Sequence, residues 1–406
     1  MSDRLDAILA EAVPGVCPAA VALIAVDGAV VAASAAGELV RYRDAAFTLA
    51  EYRPPASREA VFDLASISKL FTTAAVLSLA EEGVLGLDEP VAAWLPGRDP
   101  RITLRRLLTH TAGFQPTRRI DLELPDASPA ARMAAMVSTP VTSPVGGPYL
   151  YSDVGLVMAG RVAELASGTP LDQLVRARVT GPLNLTATGY RPVSSTPTQP
   201  TTDSGPPYEI GSPTHGEPPY EKGSRTRGGP LHEIGSPTPP APTGGPSQGA
   251  ADLSRVAATE WKPERPGPGC VRGEVHDETS YALGGVAGHA GVFGTADDVL
   301  ALGEALRLGG GAALRPDTVA EMLRDQGVTG APFRHGLGVR IGDPGIVGPL
   351  DDAFGHSGFT GTSLIVSPSH RLTAVLLTNA VHPLRGRPGI RDLRTAVATE
   401  ALRLSS

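Results

Sequence analysis

The segment FDLASISK, residues 62–69, leads from a short extended run into a helix and carries a serine and a lysine three positions apart. At the start of a helix, positions i and i+3 lie on one face, so Ser66 Oγ and Lys69 Nζ are expected to come within reach of each other. The positive field at a helix N-terminus also favours negative charge that develops on the serine oxygen. This S-x-x-K pattern predicts a nucleophilic serine with a lysine that helps to remove its proton.

Lysine usage along the chain strengthens that prediction. Lysine and arginine together number 35, yet lysine occurs only at positions 69, 222 and 262. A buried amine can lose its proton, whereas a guanidinium effectively cannot. Neither of the other lysines follows a serine by three residues, because Pro219 and Thr259 stand there. A chain that otherwise takes its positive charge from arginine therefore has a lysine where deprotonation is needed.

Two more motifs follow in order along the chain. YSD at 151–153 places Tyr151 just before a predicted helix, and HSG at 356–358 precedes a predicted C-terminal hairpin. DLASISK at 63–69 resembles the nucleophile motif of the serine beta-lactamase and penicillin-binding-protein superfamily. The later motifs resemble its Y-x-N element and its K-T-G element in the H-x-G form. The set is most similar to the class C-like and esterase branch.

The resemblance extends over most of the chain. LLTHTAGF at 107–114 and ALGGVAGHAG at 282–291 are similar to the same branch. Together the matching stretches run from about residue 62 to residue 379, apart from one insertion. Three ordered motifs are far more specific than S-x-x-K alone. The resemblance implies a beta-lactamase/transpeptidase-like fold.

The resemblance also implies acyl transfer through an acyl-serine intermediate. Ser66 attacks a carbonyl carbon, Lys69 and Tyr151 share the role of general base, and Tyr151 or His356 helps to protonate the leaving group. The backbone N–H groups of Ser66 and Phe359 are expected to form the oxyanion hole. One such donor typically contributes about 3 kcal/mol in the transition state.

Two departures from the superfamily pattern bear on the substrate. Asp153 replaces the amide residue of Y-x-N, so a donor becomes an acceptor that is expected to pair with Lys69. His356 replaces the cation of K-T-G, which weakens recognition of a substrate carboxylate. Both changes favour ester hydrolysis over beta-lactam or cell-wall peptide cleavage. We also expect Asp153, Ser357, Gly358 and His110 to contact substrate or support the catalytic groups.

The pattern of strands and helices predicts an α/β (α+β) fold. Apolar strands at 20–26 and 29–35 flank the hairpin turn Asp27-Gly28, and a second pair occurs at 362–366 and 372–378. Strands at both ends with helices between them indicate one antiparallel sheet built from the two ends of the chain, flanked by helices, plus a mainly helical lobe. Helices are predicted at 1–13, 68–82, 104–109, 129–137, 153–166, 297–308 and 390–404.

One segment does not fit a packed domain. Residues 194–250 hold 13 prolines and 10 glycines in 57 positions, with a repeat of period 12 that is seen in PPYEIGS, PPYEKGS and PLHEIGS. Such a segment cannot bury a core, so we expect a disordered Pro/Gly-rich insertion. The rest is expected to be a single catalytic domain over residues 1–406. Its predicted α/β lobe covers about 1–82 and 270–406, and its helical lobe about 83–193.

Composition narrows the classes of function. The net charge of −7 argues against a nucleic-acid partner, and no apolar run reaches the roughly 18 residues of a membrane span. With two cysteines and no signal peptide visible, we expect a cytoplasmic protein. No cofactor is expected. His276-Asp277-Glu278 is not expected to bind a metal, because adjacent residues do not easily converge on one ion.

Four readings of the function stay open at this point. An esterase acting on a small or medium acyl ester is favoured. An acyltransferase or amide-forming enzyme of secondary metabolism would use the same residues, as would a beta-lactamase or D-amino-acid peptidase. A catalytically silent binding protein, with Lys69 held protonated by Asp153, is the alternative from another class. His110 is expected to orient a cleft loop or to cap a helix C-terminus, and His289 to be structural. The expected partner is a small acyl substrate, and the oligomeric state stays open.

Overall fold

The computed structural model describes residues 3–193, 253–265, 267 and 269–406. The predicted insertion at 194–250, with its repeats, lies outside the described residues. The strands of the described chain are β1 Ala19–Val26, β2 Ala29–Gly37, β3 Phe62–Asp63, β4 Gly189–Tyr190, β5 Ala258–Trp261, β6 Cys270–Arg272, β7 Val292–Gly294, β8 Arg334–His335, β9 Arg340–Ile341, β10 Phe354–Ser357, β11 Ser363–Ser367 and β12 Leu372–Thr378.

The helices of the described chain are α1 Asp3–Ala12, α2 Ser68–Glu81, α3 Leu104–Leu108, α4 Ile120–Glu123, α5 Pro129–Val137, α6 Asp153–Ser167, α7 Leu171–Val175, α8 Glu278–Ala282, α9 Ala296–Arg307, α10 Pro316–Leu323, α11 Pro344–Val347 and α12 Ile390–Ser405. The seven predicted helices are present, and the described residues form five further short helices that were not predicted, α4, α7, α8, α10 and α11. The side chains of Thr103, Ser128, Ser152 and Thr295 each accept an N–H group at a helix start, which fixes where α3, α5, α6 and α9 begin. None of the helices in the described residues is both long and apolar enough to cross a membrane.

The main sheet joins the two ends of the chain. Its strand order is β2-β1-β12-β11-β10-β9-β8, and each described pair is antiparallel. The turn between β1 and β2 has positive φ at Asp27 (51°) and Gly28 (81°), as a type I′ hairpin requires. The predicted α/β fold with a sheet built from both ends is confirmed.

Both faces of this sheet are buried, which explains the uninterrupted apolar sequence of β1. Val21 and Leu23 belong to a core cluster with side chains of α2, α3, α6, α7 and α9. Ala22 and Ile24 point to the opposite face and belong to a second cluster with side chains of α1 and α12. On the first side, α2 packs against α6 and α7, and α3 and α5 pack against α6. This packing brings the starts of α2 and α6 together.

Candidate active site

The turn that carries Ser66 is held in an unusual backbone conformation. It follows β3, and residues Ala65–Ile67 form a short 3-10 turn before α2 begins. Ala65 has φ 46°, a left-handed conformation that costs a residue with a side chain about 1–2 kcal/mol. The Oδ1 atom of Asp63 accepts the Ala65 N–H at 2.8 Å and holds this turn. A buried carboxylate thus fixes the backbone next to the serine.

Asp63 is itself fixed from two directions. Its Oδ2 atom accepts the backbone N–H of His276 at 2.6 Å, and its carbonyl accepts the hydroxyl of Thr360 at 2.8 Å. Burial raises the pKa of this carboxyl, and the two N–H donors oppose that effect. The sequence analysis quoted Asp63 but gave it no role. Its position two residues before the left-handed Ala65 was the available signal.

The predicted nucleophile and its two predicted bases lie in direct contact. Lys69 Nζ is 2.6 Å from Ser66 Oγ, and Tyr151 OH is 3.1 Å from the same oxygen. The lysine comes from the first turn of α2, and the tyrosine lies just before α6. Lys69 and Tyr151 therefore donate to one oxygen, although Tyr151 lies 85 positions beyond Ser66 in the chain.

Lys69 is buried, and three oxygen atoms surround its ammonium. Besides Ser66 Oγ, Nζ lies 2.8 Å from Asp153 Oδ1 and 3.3 Å from the carbonyl oxygen of His289. Burial by itself lowers the pKa of Lys69, but the Asp153 carboxylate and the Tyr151 phenol outweigh it and raise the pKa above its ordinary value. Lys69 is therefore an ammonium in the resting protein, which donates hydrogen bonds to Ser66 Oγ and the His289 carbonyl and forms an ion pair with Asp153.

His110 supports Tyr151 from behind. Its Nδ1 atom accepts the backbone N–H of Ser152 at 3.1 Å, and its ring lies 4.6 Å from the Tyr151 ring. Burial, reinforced by His335 and Lys69, holds the pKa of His110 well below its ordinary value. The ring is neutral and accepts at Nδ1, so His110 orients the loop that carries Tyr151. The hydrogen bond from the Ser152 N–H to His110 agrees with the predicted orienting role of His110, which stays a prediction.

The HSG segment closes the opposite side of the serine turn. Gly358 approaches the turn so closely that a Cβ atom there would lie 2.5 Å from the carbonyl oxygen of Leu64. The hydroxyl of Thr362 donates to the same carbonyl at 3.0 Å. Arg394 of α12 donates to the carbonyl oxygens of Gly358 (2.9 Å) and Thr362 (3.1 Å). Only glycine fits at position 358.

Phe359 follows directly and lies at the surface. Its side chain is 61% exposed, and in the described part of the chain its N–H donates to no backbone carbonyl. That free N–H agrees with the predicted oxyanion role, which stays a prediction.

His356 is a neutral imidazole beside the site. It is buried, and its ring centroid lies 6.3 Å from that of Tyr151. Burial, followed by Arg340 and Lys69, holds the pKa of His356 well below its ordinary value. Nδ1 is 2.9 Å from the carbonyl oxygen of Ser357, which accepts only, so the proton sits on Nδ1 and Nε2 is an acceptor. In this form His356 has no proton at Nε2 for a leaving group.

A cation that sequence analysis missed stands on the neighbouring strand. Arg340 of β9 lies opposite Gly355 of β10, and its Cζ atom is 4.9 Å from the Tyr151 ring centroid. Its Nη1 atom pairs with Asp343 at 3.0 Å. Nothing in the sequence around Arg340 marks it, because strand pairing alone brings it to the site. The positive charge that the HSG segment lacks is thus present near Tyr151.

The His276-Asp277-Glu278 triplet does not converge on one point. His276 Nε2 lies 3.0 Å from Glu260, Asp277 lies 2.9 Å from His289 Nε2, and Glu278 lies 2.5 Å from Lys262 Nζ. Among the residues that the structure describes, no group of three or more His, Cys, Asp or Glu side chains is arranged to hold a metal ion.

A comparison with protein families matches residues 15–399 to the family described as Beta-lactamase. The chain belongs to the beta-lactamase family. The match covers nearly the whole chain, so the predicted relationship and the beta-lactamase/transpeptidase fold are confirmed. This family member is a serine hydrolase, and the prediction of an enzyme is confirmed with it.

Relatives of this beta-lactamase family member carry several activities in their names. A putative D-alanyl-D-alanine carboxypeptidase of Escherichia coli K12 is 26% identical over 408 residues, which cover 94% of this chain and 82% of the relative. The structure of EstCE1, a hydrolase with promiscuous acyltransferase activity, has a TM-score of 0.65 at 24% identity and covers 98% of both chains. Unliganded simvastatin synthase from Aspergillus terreus has a TM-score of 0.67 at 18% identity and covers 99% of both chains.

Proposed function

We propose that this protein hydrolyses small or medium carboxylic esters through an acyl-serine intermediate on Ser66. The observation that carries the proposal is the pair of contacts on Ser66 Oγ, with Lys69 Nζ at 2.6 Å and Tyr151 OH at 3.1 Å. Such contacts lie within the range that direct proton transfer requires. A serine with two proton-transferring groups in reach is equipped for nucleophilic catalysis.

The reactive form has one proton fewer than the resting form. In the resting form the ammonium of Lys69 and the phenol of Tyr151 both donate to Ser66 Oγ. Once the Lys69 and Tyr151 pair has lost one proton to solvent, it accepts the Ser66 proton while Oγ bonds to the carbonyl carbon. The same pair returns that proton to the alkoxide as the ester C–O bond breaks. Water then attacks the acyl-serine by the reverse sequence, which releases the acid and restores Ser66.

The remaining groups around the serine act on charge and position. The N–H groups of Ser66 and Phe359 are proposed to bind the carbonyl oxygen as it becomes an oxyanion, at about 3 kcal/mol each in the transition state. Tyr151 rather than His356 is proposed as the proton donor to the leaving group, because the His356 proton is held by the Ser357 carbonyl. Asp153 keeps Lys69 in place, and the Ser357 to Gly358 strand end forms one wall for the substrate.

A panel of p-nitrophenyl esters tests this proposal. With acetate and butyrate esters, rapid mixing should release a burst of p-nitrophenol equal to the enzyme, and the quenched protein should gain one acyl group on the peptide that contains Ser66. Ser78→Ala is the matched control, because the Ser78 hydroxyl in the last turn of α2 donates to the Ala75 carbonyl at 2.9 Å and has no part in the site. No burst and no acyl adduct with any ester would contradict the proposal.

The position of Arg340 supports a second candidate function, which is the cleavage or acyl transfer of substrates that carry a carboxylate. A guanidinium near Tyr151 can pair with a carboxylate more strongly than the neutral His356 can. The name of the Escherichia coli relative points in the same direction. Comparing D-alanyl-D-alanine peptides with neutral esters, in water and with added amine acceptors, separates these activities. Arg340→Gln should lower kcat/KM for the anionic substrates about tenfold or more and leave neutral esters nearly unchanged.

A further inference from the structure

A small cavity borders Asp153, the carboxylate that pairs with Lys69. Asp153, Asp277 and His289 line it together with Thr117, Arg118 and Thr279, and apolar side chains complete the lining. Asp153 belongs to α6, whereas Asp277 and His289 come from the segment around α8. Two groups that the proposed mechanism does not use therefore share a cavity with the carboxylate that pairs with Lys69.

His289, which is buried, pairs with Asp277, whose side chain is 31% exposed. His289 is 1% exposed, and its Nε2 atom lies 2.9 Å from Asp277 Oδ1. Burial by itself raises the pKa of Asp277, but His289 and the Ser280 N–H at 2.7 Å outweigh it, so the carboxyl is ionised at neutral pH. A carboxylate only accepts, so Nε2 carries the proton. The other ring nitrogen, Nδ1, is buried and has no hydrogen-bond partner among the described residues.

The backbone of His289 contacts the catalytic lysine directly. Its carbonyl oxygen accepts from Lys69 Nζ at 3.3 Å. The neighbouring Gly288 lies against α6, where a Cβ atom would be 1.9 Å from the carbonyl oxygen of Leu156. Val292 donates its N–H to Ser68 Oγ of α2. The segment 288–292 is thus fixed between the two helices that supply Lys69 and Asp153.

We propose that the His289 and Asp277 pair is a positioning unit for Lys69. It holds the His289 carbonyl on the ammonium, so the lysine stays between Ser66, Asp153 and this carbonyl. This inference rests on the proposed role of Lys69 in proton transfer. The charged groups around Lys69 and the cavity are Asp153, Asp277, Arg118 and Arg340, with His110, Tyr151 and His356 as the other titratable groups.

Three variants separate positioning from mere packing. Asp277→Asn keeps an oxygen that can cap α8 and removes the charge. His289→Gln places a donor nitrogen near the position of Nε2 and removes Nδ1, whereas His289→Ala removes the whole pair. The His289 backbone carbonyl remains in all three, so each effect on Lys69 arises from how well the segment is held.

The readout is the pH dependence of kcat/KM for p-nitrophenyl acetate and of Ser66 labelling by a fluorophosphonate. We expect the plateau value of kcat/KM at high pH to fall about tenfold in Asp277→Asn and in His289→Ala. We expect the acid limb to move to lower pH by about one unit, because the ammonium is less stabilised when its hydrogen bond to the His289 carbonyl is weakened. His289→Gln should recover most of the plateau.

Outcomes that contradict the inference are distinct from those that contradict the proposed function. If the wild type is labelled at Ser66 but folded Asp277→Asn and His289→Ala variants give the wild-type pH profile, the positioning role is wrong and the esterase mechanism stands. A fall in the melting temperature with an unmoved acid limb would likewise assign the pair to stability alone. If the wild type itself is not labelled, the proposed function fails first.

Discussion

Asp153→Asn is the substitution that most directly probes how the charge of Lys69 is set. It restores the amide of a Y-x-N element and removes the carboxylate that lies 2.8 Å from Nζ. With an effective dielectric constant of about 20, two unit charges at this distance attract by about 6 kcal/mol. That energy corresponds to about four pH units and is a ceiling, because the asparagine oxygen still accepts from Nζ.

The direction of the effect follows from the charge on the lysine. Asp153 raises the pKa of Lys69, so the proton that must leave before catalysis is held until the pH is alkaline. Without the carboxylate, the lysine loses its proton at lower pH. We expect the acid limb of kcat/KM to move to lower pH by about one to three pH units, the range that a close opposite charge typically produces.

The assay is the rate of acylation by p-nitrophenyl acetate from neutral to alkaline pH, measured in the burst phase. Asp99→Asn is the matched control, because it removes the same charge from an exposed pair with Arg101. The control should keep the wild-type profile. An acid limb that stays in place in Asp153→Asn, or moves to higher pH, would refute the assignment of Lys69 as the group that Asp153 keeps protonated.

Three further substitutions test other parts of the account. Gly358→Ala should lower kcat about 100-fold, because the added methyl must push the strand away from the Leu64 carbonyl, whereas Gly15→Ala meets nothing within 4 Å and should be silent; both are measured by ester kinetics. His110→Leu should cost about 1–3 kcal/mol in urea unfolding, since it leaves the buried Ser152 N–H unpaired, and His110→Asn should recover much of that loss. Burial alone raises the pKa of Glu278, but Lys262 and Arg385 outweigh it and lower the pKa to about 2, so its contribution to stability is present above the ordinary carboxyl range and is lost as the pH falls. Below about pH 4 the unfolding free energy of the wild type should therefore drop more steeply than that of Glu278→Gln, by about 1–2 kcal/mol after allowance for solvent screening.

Local sequence patterns predicted much of the fold. The six predicted helices from residue 68 onwards agree with α2, α3, α5, α6, α9 and α12 to within one residue at each end. They agree because their ends carry chemical signals, such as the Ser128 and Thr295 caps and Gly168 with φ 68° after α6. The lobe boundaries and the cytoplasmic location stay predictions.

The candidate site was predictable only where a motif carried it. Ser66, Lys69 and Tyr151 stand in recognisable motifs. In the structure, Lys69 Nζ and Tyr151 OH both lie within 3.1 Å of Ser66 Oγ. Arg340 and the His289 carbonyl reach the site through strand pairing and through a loop fixed between two helices. Such placements depend on contacts between distant parts of the chain, which spacing along the sequence does not contain.

The central claim is that Ser66 is an activated nucleophile. Its most direct test is the intact mass of the protein after brief exposure to a fluorophosphonate, with Ser66→Ala and Ser78→Ala treated in parallel. The account predicts one adduct on the wild type and on Ser78→Ala, and none on Ser66→Ala. An unlabelled wild type, or labelling that persists in Ser66→Ala, would contradict it.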